Sequence, residues 1–223
     1  DTVGSDITIR PGAVNWMVAG RGIVHSERTP DEKRATGMRM HGIQTWFALP
    51  KTHEDCLPSF THHPKDTLPE FDLGGAGALL PAGEAWGHRS PVEFPWGIWY
   101  LGLTASDGAS FEIPSDAADE RAIYVAGGSV AIEGRSYADG AMIILTPGQT
   151  VQVSVAPSSH LMLAGGQTMD GPRLIDWNLV ASRQDLIDEA RAGWTDSIAR
   201  NWQDTRFSLP DGEDEFIPLP GAD

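Results

Sequence analysis

An all-β fold closed by one C-terminal α-helix is what this 223-residue sequence predicts, and three observations predict it. Its 25 Gly and 16 Pro are dispersed rather than run together, which suits many short strands joined by turns. An apolar strand bracketed by Gly12 and Gly20 has a counterpart at the same spacing between Gly140 and Gly148, the mark of two similar β-units. Only one segment, near the C-terminus, carries apolar residues at helical spacing.

Taken in order, Ile7-Thr8-Ile9-Arg10 alternates as a strand and Pro11-Gly12 is a turn signal. Val14 to Val18 is the next strand, Gly20-Arg21-Gly22 the next turn, and Ile23 to Glu27 a strand after it. Ile43 to Leu49 follows as strand, and residues 50–72, crowded with Pro, His and Asp, read as a long loop. Further strands are expected at Ala78–Leu80, Trp99–Leu103, Ala122–Val125, Ser129–Glu133, Met142–Leu145, Val151–Val155 and His160–Ala164. In the register of the glycine repeat, His25 falls on Val153 and Glu27 on Val155. One unit thus carries polar side chains where the other carries apolar filling. Ser182 with Asp185 resembles a capping box. Beyond it Leu186, Ile187, Ala190, Trp194, Ile198 and Trp202 form one stripe, read as an amphipathic helix docked on a sheet. The acidic tail that follows is expected to pack back through Phe216, Ile217 and Leu219.

Charge and cysteine content narrow the function classes. A net charge of −15 repels phosphate backbones and anionic lipid, so neither direct nucleic-acid binding nor a membrane partner is expected. Cys56 is the single cysteine, which rules out an intrachain disulfide and a thiolate-rich zinc site and fits a reducing compartment. No apolar run reaches the roughly 18 residues a membrane span needs, and no secretory signal is visible. A cytoplasmic location is therefore expected. The opening Asp1-Thr2-Val3-Gly4-Ser5-Asp6 reads as a polar turn entering a strand, so residues upstream are expected.

The chemistry is concentrated in Gly20-Arg21-Gly22-Ile23-Val24-His25-Ser26-Glu27. Side chains two apart leave a strand on one face. His25 and Glu27 therefore aim an imidazole and a carboxylate at one point, as a metal such as iron or manganese requires. The alternative is a His–Glu hydrogen bond on a barrel wall. His53, His62 and His63 lie in the polar loop with exposed or capping roles. His88 and His160 have no partner in sequence. Gly74-Gly75-Ala76-Gly77 lacks the strand–helix context of a dinucleotide site. Cys56 has no activating cation beside it.

The run from Ile9 to Arg28, with His41-Gly42-Ile43-Gln44-Thr45-Trp46, Leu49-Pro50, Ser90-Pro91-Val92, Trp177-Asn178 and Glu215-Phe216-Ile217-Pro218-Leu219-Pro220, closely resembles the pirin family, its bacterial members in particular. The resemblance implies two cupin (double-stranded β-helix) barrels, the first incomplete, with a C-terminal helix. Residues 1–72 would be the remainder of the N-terminal barrel with a connecting loop, and 73–223 the C-terminal barrel with helix and tail. It also implies a single iron in the N-terminal barrel, held by three His and one Glu. Two of these match here, His25 and Glu27; the others belong to a His-x-His strand expected before Asp1. Where the second barrel would carry such an element, Asp119-Glu120-Arg121 stands instead.

The implied activity is a metal-dependent dioxygenase of quercetinase type, cleaving a flavonol or similar small aromatic substrate with O2. Glu27 would serve as ligand and catalytic base, and Trp16, Met17 and Met40 as substrate-binding residues lining an apolar pocket; His41 is read as structural, with a substrate-binding place in that pocket as its alternative. In other members the family implies a regulatory role through a protein partner without turnover. A monomer or weak homodimer is expected, since an incomplete barrel leaves strand edges that invite pairing.

Overall fold

The structure, a computed structural model, describes residues 1–37 and 39–221. In chain order its elements are β1 (Val14–Val18), α1 (Asp31–Thr36), β2 (Ser59–His63), a 3-10 turn at Lys65–Thr67, β3 (Glu70–Leu73), β4 (Ala76–Ala85), β5 (His88–Arg89) and β6 (Ile98–Ala105). There follow β7 (Ala109–Ile113), β8 (Glu120–Gly127), β9 (Ser129–Ile132), β10 (Arg135–Ala138), β11 (Met142–Ile144), β12 (Val151–Val155) and β13 (Ser159–Gly166). β14 (Leu174–Asp176), β15 (Leu179–Ala181) and α2 (Gln184–Ala199) complete the described elements. The expected all-β architecture with a C-terminal helix is the one observed.

Contacts gather the chain into two units, one of residues 1–10, 15–62 and 169–223, the other of 11–14 and 63–168. The helix and tail, expected with residues 73–223, group instead with the N-terminal residues.

In the second unit, β11-β8-β13-β6-β4-β3 form one antiparallel sheet, with β5 on β4, and β10-β9-β12-β7 form another. Alternation decides which side chains fill it. Leu101 and Leu103 of β6, Ile123 and Val125 of β8, Val151, Val153 and Val155 of β12, and Leu161 and Leu163 of β13 all face the core. Each such side chain withdrawn from water stabilises the fold by about 1.5–3 kcal/mol. Val153 and Val155, the positions in register with His25 and Glu27, are apolar filling here.

The first unit holds a two-stranded sheet of β1 and β2, the hairpin of β14 and β15, and α2. Its core is a tight aromatic cluster around Trp194. That ring meets Trp177 at 5.4 Å, Trp202 at 5.0 Å and Phe207 at 5.5 Å, each edge-on, as aromatic quadrupoles favour. Ile187, Ala190 and Trp194 of the expected stripe are buried.

Several expectations are corrected. Residues 50–72 are not one loop, since β2, the 3-10 turn and the start of β3 lie within them; partners, not composition, make a strand there. Ile7–Arg10, Ile23–Glu27 and Ile43–Leu49 join no ladder among the described residues, because alternation reports which face is apolar and not whether a strand lies alongside. α1, a six-residue helix opening after Pro30, carries no apolar stripe and left no periodic signal. The Ser182–Asp185 box does not form. Arg183 takes the N-cap position without a side-chain cap bond, and Ser182 turns to Glu54, whose carboxylate accepts its N–H at 2.9 Å and its hydroxyl at 2.7 Å. In the tail Leu219 is buried, while Ile217 is exposed and contributes its carbonyl, which accepts from Trp194 Nε1 at 3.1 Å.

Candidate functional site

The turn that launches His25 and Glu27 depends on glycine. Gly22 N–H donates to Ala19 O at 2.9 Å, and Arg21 N–H donates to Cys56 O at 3.0 Å. Gly20 has φ 49°, and a Cβ there would stand 2.2 Å from the Cys56 carbonyl oxygen; one on Gly22, at φ 136°, would stand 2.9 Å from the Phe207 ring. Only residues without a Cβ let the turn sit this close.

Beyond the turn the chain is held on alternate residues. Val24 O accepts from Thr2 N–H at 2.9 Å, and Val24 N–H donates to Thr2 Oγ1 at 3.1 Å. The Val24 side chain packs against the Trp194 cluster. Ser26 hydrogen-bonds Glu213. Arg28 Nε donates to Glu213 Oε1 at 2.9 Å, and its Nη1 pairs with Glu215 at 2.8 Å. With 24, 26 and 28 occupied in this way, His25 and Glu27 stand exposed between them. Arg28 holds the Glu213 carboxyl down to about 2, its hydrogen bond being the largest cause. Sequence spacing does not display this tether; the acid-rich stretch from Glu213 to Glu215 is its visible half.

The remaining expected residues are dispersed. Trp16 and Met17 lie half-buried on β1, with the Trp16 ring 5.7 Å from Phe47. Met40 is 80% exposed and His41 is exposed beside it in a segment without regular structure. His62 Nδ1 lies 2.7 Å from Asn15 Oδ1, joining β2 to β1. His88 and His160 do have partners: His88 stacks on Phe71 at 4.1 Å, and His160 Nδ1 lies 3.3 Å from Thr104 Oγ1. Both contacts cross between strands, which sequence spacing does not display.

Among the described residues no three His, Cys, Asp or Glu side chains gather into a group that could hold a metal ion. His25 and Glu27 are two donors of suitable chemistry, and two donors do not make a divalent-metal site. The described residues do not fit the expected iron by themselves.

A largely antiparallel β-fold with a buried aliphatic interior, and a His–carboxylate pair two residues apart on an extended run, define a protein of the cupin class. Comparison with known proteins makes the assignment specific. Residues 1–47 match the Pirin family model and residues 100–200 the Pirin C-terminal cupin domain. A pirin-like protein of Caulobacter vibrioides is 42% identical over 222 residues, covering 99% of this chain and 73% of that protein. A Pseudomonas aeruginosa protein provisionally named a quercetin 2,3-dioxygenase is 30% identical, covering 90% of this chain and 62% of its own length. A crystal structure of quercetin 2,3-dioxygenase from Acinetobacter baumannii superposes with a TM-score of 0.85 at 30% identity, over 98% of this chain and 70% of that one. The chain belongs to the pirin family. It spans 62–73% of the length of the relatives and structure just named. Among the described residues no helix is long and apolar enough to cross a membrane.

Proposed function

We propose that this chain carries part of a pirin-type oxygenase site, whose reaction is quercetinase-like cleavage of a flavonol or related small aromatic by O2. The observation that carries the reading is the exposed His25–Glu27 pair, displayed on a run whose intervening residues Val24, Ser26 and Arg28 are tied down. Support comes from the quercetin dioxygenase names of a relative and a structural neighbour. In this reading His25 and Glu27 would be two of the ligands of one iron or other divalent metal, whose chemistry when bound would be to polarise the substrate's hydroxyl. The full donor set needs two more than the described residues bring there. Glu27 would take the hydroxyl proton from the substrate, and Trp16 and Met17, half-buried on β1, would contact its aromatic face.

The test is metal content per chain by mass spectrometry, together with O2 uptake in the presence of quercetin. In protein that includes the two further donors, the expected result is one metal per chain and a Glu27→Gln variant that keeps its circular dichroism but loses turnover by about 10²–10⁴-fold. Unchanged quercetin consumption by Glu27→Gln would sink the reading. A second reading, a binding module that engages a protein partner without turnover, is favoured by the absence of a three-donor group among the described residues. A metal-free chain without O2 uptake, yielding a reproducible pull-down partner, would select it.

A further inference from the structure

The run that displays His25 and Glu27 is not held by a sheet. Residues 23–30 join no ladder among the described residues, so no row of backbone hydrogen bonds fixes the direction in which the two side chains project. Direction is set from the intervening positions instead. Val24 is fixed by Thr2. Ser26 and Arg28, which bracket Glu27, share one partner, Glu213. Its carboxylate accepts Arg28 Nε at 2.9 Å on one oxygen and Nη2 on the other, a forked geometry that fixes orientation as well as distance. Glu215 adds a single contact to Nη1 at 2.8 Å.

Glu213 can act as a fixed post because the tail is anchored on both sides of it. Upstream, Pro210 is buried and its carbonyl accepts Glu213 N–H at 3.1 Å. Downstream, Phe216 meets Trp202 edge-on at 5.3 Å, and Ile217 O accepts from Trp194 Nε1 at 3.1 Å. Leu219 is buried, and Pro220 O accepts from Arg191 Nη2 at 3.4 Å. The Glu213 side chain is 12% exposed and that of Arg28 49%. A pair this open adds little to stability, so the fold does not depend on it. Its constraint falls on one short segment, the one that carries Glu27.

We propose that Glu213 is a positioning residue for the His25–Glu27 pair, acting through Arg28 and Ser26, and that the tail from Pro210 to Leu219 is the strap that holds it in place. A misplacement of about 1 Å in a reacting group can cost on the order of 10²-fold in rate, and the strap sets the place of Glu27 from the residues on either side of it. The strap's effect on turnover rests on the oxygenase reading; its effect on the order of the segment does not.

The experiment is nitrogen-15 relaxation of the full chain, with quercetin turnover measured in protein that includes the two further donors. Wild-type order parameters of about 0.85 are expected at His25, Ser26 and Glu27, and Glu213→Ala should lower them below about 0.6 while the Trp194 indole resonance stays in place. Arg28→Lys keeps the charge but not the fork and should lower them as well. Glu213→Gln keeps one acceptor oxygen and should fall between, and Glu215→Ala, which removes only the single contact, should lower them least. In turnover, Glu213→Ala should lose about 10²-fold in kcat with KM little changed. Wild-type order parameters in both Glu213→Ala and Arg28→Lys would overturn the proposal, and so would lowered order with unchanged kcat. Absence of turnover in the wild type would sink the oxygenase reading instead, and the relaxation data would then decide the strap by themselves.

Discussion

Arg28 and Glu213 lie 185 residues apart in sequence and meet as a two-pronged pair, with Arg28 Nε on Glu213 Oε1 at 2.9 Å and its Nη2 on Oε2. This contact ties the residue after Glu27 to the C-terminal tail, which is also held by Trp194 Nε1 on Ile217 O and by buried Leu219. The segment bearing His25 and Glu27 and the tail are thus parts of one local structure.

The pair makes tail docking acid-sensitive. Glu213 is held at about 2 against an ordinary value of 4.5. A carboxylate depressed on folding stabilises the native state above its unfolded pKa and loses that contribution as pH falls through the folded one. Between about pH 4.5 and pH 2 the wild-type tail should therefore loosen, read as a change in the Trp202–Phe216 contact by near-ultraviolet circular dichroism. Glu213→Gln should lack this component. In Arg28→Ala the Glu213 carboxyl should titrate at higher pH than in the wild type by carbon-13 NMR, Ser26 still holding it below the ordinary range.

Trp194 is the centre of the first unit's core. Trp194→Ala removes three edge-on ring contacts and a hydrogen bond to the tail. It should cost about 3–5 kcal/mol in urea unfolding. Trp194→Phe keeps most of the packing and isolates the bond to Ile217 O, for which about 1 kcal/mol is expected. Equal losses in the two variants would contradict this division.

Gly20→Ala tests the turn before His25. The new Cβ cannot remain 2.2 Å from the Cys56 carbonyl oxygen, so the turn must shift, at a cost of about 1–3 kcal/mol. The amide of Arg21, which donates to that carbonyl, should lose protection in hydrogen exchange. Gly37→Ala, a glycine also at positive φ but with open space around it, should leave that amide unaffected.

Much of this was legible in the sequence, and the failures share a cause. β12 occupies the residues expected, Val151–Val155, because strict alternation with both neighbours present identifies a buried strand. Ile23–Glu27 alternates as clearly, yet joins no ladder among the described residues, because periodicity reports which face is apolar and not whether a partner lies alongside. The proposed donors, His25 and Glu27, could be read from two residues of one segment. The Arg28–Glu213 tether, the Glu54–Ser182 contact and the Trp86–Trp99 corner, whose rings meet edge-on at 5.3 Å with Trp86 at φ 47°, could not, since each joins positions far apart or depends on a backbone angle. The Phe71–His88 stack escaped for the same reason.

Gly165→Ala probes the corner of Trp86 and Trp99 from below. Gly165 of β13 lies opposite Trp99 of β6 in the ladder, and a Cβ there would meet the indole at 2.2–2.5 Å. The indole lies over the glycine, and in that position its Nε1 reaches Ala117 O. Adding a methyl group forces Trp99 off this site or bends β13, and overpacking of this kind costs about 1–3 kcal/mol. The native state of Gly165→Ala should therefore show the Trp99 indole N–H shifted and fast-exchanging. Its Trp86 contact should weaken as well, while the Trp194 cluster of the other unit keeps its resonances. A variant with unchanged stability and an unshifted Trp99 signal would mean that the ring does not rest on Gly165, and that the corner is held by the β4–β5 hairpin alone.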